Sequence, residues 1–121
     1  QPENSHAHVN LILALAISGQ WQQADNLRLM LDPQQPLSAK LRRNLGMAEQ
    51  KMGNCTAARH NLQTALQQAP QDANSWVALA ACQSPAEAEQ SLRQAVKLQP
   101  GWDYPRNLLQ GMTQKTAASS H

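Results

Sequence analysis

The stretch RNLGMAEQKMGNCTAA, Arg43 to Ala58, decides the fold. Thirty-four residues earlier the chain reads VNLILALAISGQWQQA, Val9 to Ala24, with Asn, Leu, Ala, Gly and a final Ala in the same places. The step extends outward from this pair. Pro36 and Pro70 are one step apart, Leu11, Leu45 and Leu79 form a column, and so do Ala14, Ala48 and Cys82. After Cys82 the register shortens by four residues, since Ala58 to Ala88 and Pro70 to Pro100 are both steps of 30. So many coincident columns in 121 residues identify an internal repeat.

Each period holds two helices. Leu41, Leu45, Ala48 and Met52 recur at helical spacing on one face, and Gly53-Asn54 then breaks the helix. Ala58, Leu62, Ala65, Leu66 and Ala69 mark the inner face of the next helix, which Pro70 stops. Ser38 and Asp72 stand where N-caps belong, and SPAE at 84–87 has the form of a capping box with Pro at its first helical position. Ala24, Ala58 and Ala88 are small where two helices must cross closely.

Composition agrees. Ala, Leu and Gln dominate, Phe is absent, and the β-branched and aromatic residues that favour strands are sparse. A chain of this length suits one domain or a short repeat array. Ten basic and eight acidic residues are spread evenly, for a net charge of +2. Such a balance offers no footprint for nucleic acid and no basic stripe for an anionic membrane. The most apolar run, Leu11 to Ile17, is far shorter than the ~20 residues a membrane span needs. The chain starts without a Met, an n-region or an h-region, so we expect a mature form or an excised piece. Low Lys, high Gln and an even cysteine count lean toward an exported bacterial protein. Cys55 and Cys82 match no zinc spacing, which leaves one disulfide or two buried thiols.

On these residues the chain resembles the tetratricopeptide (TPR) repeat family. The second unit shows Leu45, Gly46, Gly53, Ala58, Leu62, Ala65 and Pro70, and the third shows Trp76, Leu79, Ala80, Ala88, Leu92, Ala95 and Pro100. The first is looser, with Ile12 in a small-residue column and Arg28 in a bulky one. The resemblance covers about 100 residues. It implies an all-α right-handed solenoid of three helix-turn-helix repeats at 5–38, 39–72 and a shortened 73–102, with a capping helix at 103–116. Residues 1–4 and 117–121 are expected to be tails, the latter disordered. Leu108, Leu109 and Met112 give the last helix its apolar face, and Trp102 and Tyr104 are expected to pack at its start.

Within that family the column after the turn is usually aromatic. Trp21 obeys this and Cys55 does not. In a TPR stack the start of one repeat's second helix lies beside the finish of the next repeat's first helix. These are the positions of Cys55 and Cys82, and the four-residue deletion falls at the same end. A disulfide there would restore packing that the deletion loosens, and a loop of that length stabilises by roughly 3–4 kcal/mol in the chain-entropy model. Two buried thiols remain the other reading. No CxxC pairing or activating base suggests redox chemistry.

The resemblance also implies a concave groove lined by first helices. Its expected positions are His6, Asn10, Leu13 and Ile17, then Lys40, Arg43, Asn44, Met47 and Lys51, then Asn74, Val77 and Ala78, with Val9 and Ala81 in the same register. In TPR domains that clamp a peptide carboxylate, Asn holds the column of Asn10 and Asn44. The basic partners of that clamp are missing here, with only His6, Asn74 and Ala78 in their places. These Asn side chains then bond an extended peptide or the neighbouring helices. The groove grades from apolar (Leu13, Ile17) to basic (Lys40, Arg43, Lys51), which suits a helix or strand with apolar anchors and an acidic flank.

No enzyme signature is present. Ser75, Ser84 and Ser91 lack a nucleophile-elbow context, and the glycines form no phosphate loop. Glu87 and Glu89 point in different directions on a helix, as do His6 and His8, so no catalytic, metal or cofactor site is expected. We therefore expect a non-catalytic module that binds a protein segment. ALAISGQ and LRRNLGMAEQKMGN are similar to stretches of the TPR lipoproteins of tight-adherence (Flp-type) pilus systems. That resemblance implies a periplasmic assembly or docking factor, tethered at the outer membrane. The alternatives are a cytosolic TPR chaperone or regulator of secreted substrates, and the TPR part of a polysaccharide-export protein.

Overall fold

The computed structural model describes residues 2–119, with side chains for 5–113. Among these residues there are seven α-helices and no strand. They are α1 (Pro2–Ile17), α2 (Trp21–Leu29), α3 (Ala39–Lys51), α4 (Cys55–Gln68), α5 (Ala73–Ala80), α6 (Pro85–Leu98) and α7 (Asp103–Ser119). Helix α1 starts earlier than the expected tail allows, because Pro2 is tolerated in a first turn and residues 3 and 4 continue the helix. Helix α7 runs to Ser119, past the expected end at 116, through a stretch rich in helix-forming Ala. Residues 120 and 121 of the expected tail lie outside the described residues.

Local chemistry sets the ends. Gly19 and Gly53, one sequence step apart, hold φ of +81° and +82°, where a side chain would be strained. Behind each, the chain reverses by the same pair of bonds. Gly53 N–H donates to Gln50 O and Asn54 N–H to Glu49 O, matching Gly19 to Ala16 and Gln20 to Leu15. This is a Schellman ending. Ser38 Oγ accepts from Leu41 N–H at 3.2 Å, Asn54 Oδ1 from Ala57 N–H at 3.3 Å, and Asp72 Oδ1 from Asn74 N–H at 3.1 Å. Ser84 and Glu87 form the reciprocal capping box, with Pro85 at the first position.

Helices pack on their near neighbours. Helix α1 lies against α2 and α3, α3 against α4 and α5, α5 against α4 and α6, and α6 against α7. The core follows in three clusters. Val9, Ile12, Ala24, Leu41, Leu45 and Ala48 join α1, α2 and α3. Ala58, Leu62, Leu66, Ala78, Leu79 and Cys82 join α4 to α5. Ala80, Ala88 and Leu92 join α5 to α6, with Leu109 and Met112 of α7 packed against them. Trp102 and Tyr104 face each other at the start of α7, with ring centroids 6.2 Å apart.

Close approach is visible at Gly46. A Cβ there would stand 2.7 Å from Leu62 Cγ, so α3 and α4 meet at a distance only glycine permits. The columns also explain an exposed leucine. Leu45 and Leu79 are buried against the helices that precede them, whereas Leu11 has no preceding described helix and is 49% exposed. Cys55 and Cys82 form a disulfide with Cα atoms 5.2 Å apart, joining the start of α4 to the turn just after α5. Arg59 Nη1 donates to Cys82 O at 2.8 Å beside it.

Candidate functional site

Because α1 touches α3 and α3 touches α5, the three helices stand side by side, and the expected groove positions can be followed across them. Seven of these positions are exposed: His6, Asn10 and Ile17 on α1, Lys40 and Lys51 on α3, Asn74 on α5 and Ala81 just past its end. Leu13, Met47 and Val77 are partly buried and pack against the three core clusters in turn. Ala78 and Val9 are buried within the core. Arg43 is half-buried and Asn44 is buried.

These last two residues belong to a polar line that runs across all three helices. Asn44 Nδ2 donates to Asn10 Oδ1 at 3.3 Å, which ties α1 to α3. Arg43 donates from Nε and Nη2 to Asn44 Oδ1 at 3.2 and 3.1 Å. Its Nη1 reaches Asp72 Oδ2 at 3.0 Å, an ion pair in which both side chains are 19% exposed. The same Asp72 oxygen accepts from Ser75 Oγ at 3.0 Å, so the N-cap of α5 is part of the line. A charge-assisted bond of this kind is stronger than a neutral one and stays less screened than a pair on the open surface. Asn10 and Asn44 thus bond each other, and the line ties the three helices together.

A second polar cluster lies between α2, α3 and α4, and none of it was among the expected site residues. Glu49 is 2% exposed. Asn61 Nδ2 donates to Glu49 Oε1 at 2.6 Å, and Arg28 Nη1 lies 3.5 Å from Oε2. Arg28 also pairs with Asp25 at 2.9 Å, and Arg42 Nη1 donates to Asn61 Oδ1 at 3.1 Å. Burial pushes the Glu49 carboxyl above its ordinary pKa. The Asn61 hydrogen bond and the charges of Arg28, His60 and Arg42 pull it back only in part. One signal in the sequence pointed here: Arg28 stands in the column that Leu62 and Leu92 fill, so a cation there needs a buried partner.

Among the described residues, no group of three or more His, Cys, Asp and Glu comes together as a metal site, and no helix is long and apolar enough to cross a membrane. No protein-family model and no curated protein matches the chain. The functional reading therefore rests on the residues and their geometry.

Proposed function

We propose that the chain is a non-catalytic interaction module, a solenoid of the tetratricopeptide type that holds a segment of another protein along the face of α1, α3 and α5. The observation that carries this reading is the side-by-side contact of those three helices, with Ile17 63% exposed at one end of α1 and Lys51 and Lys40 exposed at the two ends of α3. An apolar anchor next to basic side chains suits a helix or strand with one apolar face and an acidic flank. The polar line through Asn10, Asn44, Arg43 and Asp72 supports the reading too. It pre-organises the face, so binding costs less ordering entropy.

The disulfide favours an oxidising compartment, which for a bacterial protein is the cell envelope, over the cytosolic chaperone alternative. In this reading the protein serves as an assembly or docking factor for a pilus or secretion system, in the periplasm and tethered at the outer membrane. Site-specific photocrosslinking in producing cells tests the face directly. A photoreactive residue at Ile17 or Lys51 is expected to trap a discrete partner, and one at the exposed Gln67 of α4 is not. Adducts from Gln67 with none from Ile17 or Lys51 would move the docking surface elsewhere.

A further inference from the structure

The gap between α2, α3 and α4 contains a half-enclosed cavity of about 260 Å3, and none of the groove positions lines it. Arg28 and Arg42 both line this cavity, and they differ in their partners. Arg28 is held by two carboxylates, Asp25 and Glu49. Arg42 has a neutral partner, the Asn61 amide oxygen, and its Nε is buried with no acceptor. Buried polar groups are almost always hydrogen-bonded, and a guanidinium is built to hold a carboxylate through two parallel N–H bonds. We propose that this cavity is a binding site for a carboxylate on a short apolar stem, with Arg42 as its anchor.

The lining matches both halves of such a ligand. Leu31, Pro33, Leu37 and Leu45 offer apolar contact for the stem, and His60 lines the cavity as well. Glu49 and Asp32 also line the cavity and would repel an anion where their charges are free; Asp32 Oδ1 accepts from Gln34 N–H at 2.9 Å. The two Glu49 oxygens are engaged by Asn61 and Arg28, and the Arg28 guanidinium offsets its charge. The volume admits a short-chain acid or one Asp or Glu side chain. Both sources share the recognising chemistry.

The Nε–Hε correlation of Arg42 in a 15N-labelled sample reads the site at the atom that defines it. Sodium butyrate is the probe, with butyramide as the neutral analogue and sodium chloride as the ionic-strength control. A saturable shift of the Arg42 Hε and Asn61 side-chain amide signals is expected with butyrate and with neither control. The Asn61 response should vanish in Arg42→Gln. A response to butyramide or chloride equal to that of butyrate, or no saturable response, overturns the proposal, and the wild-type titration alone decides this if the variant does not fold. The blocked dipeptide acetyl-Leu-Glu-amide separates the sources. Binding at least about tenfold tighter than butyrate assigns the site to a partner's acidic side chain, and equal or weaker binding assigns it to a free acid.

Discussion

Two seams of the molecule occupy matching places in the sequence step and are held by different chemistry. Between α4 and α5 the contact is apolar, with Ala58, Leu62, Leu66, Ala78 and Leu79, and it is locked by the Cys55–Cys82 disulfide. Between α2 and the α3–α4 pair the apolar contact is kept at Ala24, Leu45 and Ala48, but the columns of Leu62 and Ala78 hold the polar Arg28 and Asn44. Trp21 stands in the column of Cys55, Ala48 in that of Cys82, and Arg28 in that of Leu62. Trp21 is 55% exposed and donates from Nε1 to Ala16 O at 3.3 Å, so it spans its own turn and makes no covalent link to Ala48. What takes the place of the staple is Glu49, reached by Arg28 from one side and Asn61 from the other. The contrast shows that one repeating frame tolerates either solution, an apolar core with a covalent link or a buried ion pair beside an open cavity. A covalent link keeps its hold regardless of pH and is released by reductant. The ion pair has the opposite sensitivities.

Breaking the stapled seam should give the largest effect. The disulfide closes a segment whose ends are 27 residues apart, and its loss should cost about 3 kcal/mol. Calorimetry of Cys55→Ser/Cys82→Ser, or of the wild type under reductant, should show a fall in Tm of roughly 10 °C. The Glu49 cluster should respond to neither treatment. A reduced protein that melts at the oxidised temperature would show that the apolar contacts alone hold α4 to α5.

The polar seam should break by a smaller amount and be repairable. Arg28→Leu restores the residue type of the column but leaves Glu49 with Asn61 as its one direct partner. Removing one member of a fully buried pair costs 3–5 kcal/mol as a rule, and Arg28 keeps 22% exposure, so a loss of roughly 2 kcal/mol is expected. Adding Glu49→Gln should recover most of it, because the uncompensated charge goes too. Denaturant unfolding of the two single variants and the double variant gives the coupling. Additive losses would mean that Arg28 and Glu49 are neighbours without being partners.

The two seams were not equally legible in the sequence. The apolar one could be read from columns, because Leu62 and Leu79 repeat at a fixed step and helix periodicity gives their faces. Caps at Ser38, Asp72 and Ser84 could be read for a similar reason, since a cap is a local bond between residues a few positions apart. The meeting of Cys55 with Cys82 needed the stacking geometry of a family as well. Glu49 was hidden because its partners, Arg28 and Asn61, lie 21 and 12 residues away and carry no fixed spacing. The polar line on the α1–α3–α5 face was half visible. The Asn10–Asn44 step was plain, but the bond from Arg43 to Asp72 spans 29 residues and links a groove position to a helix cap.

The smallest effect expected is also the one that best separates the seams, since it is read in pH. Glu49 has a folded-state pKa raised above its ordinary 4.5 by burial, which means the folded protein binds that proton more tightly than the unfolded chain does. The stabilisation from its proton is complete below the ordinary value and is lost as pH rises through the raised one. Acidification from neutral pH therefore strengthens the polar seam at this group. Glu49→Gln imitates the protonated form and keeps an acceptor for Asn61 Nδ2, while Arg28 retains Asp25. The variant should melt at or slightly above the wild-type temperature at pH 7.5, and the gap should close as pH is lowered toward 4.5. Paired melting curves across that range check both parts. A variant that is less stable at pH 7.5, with a deficit that grows on raising the pH, would mean that the ionised carboxylate gains more from Arg28 and Asn61 than it loses by leaving water. The seam would then be held by its charge in the way the other is held by its sulfurs.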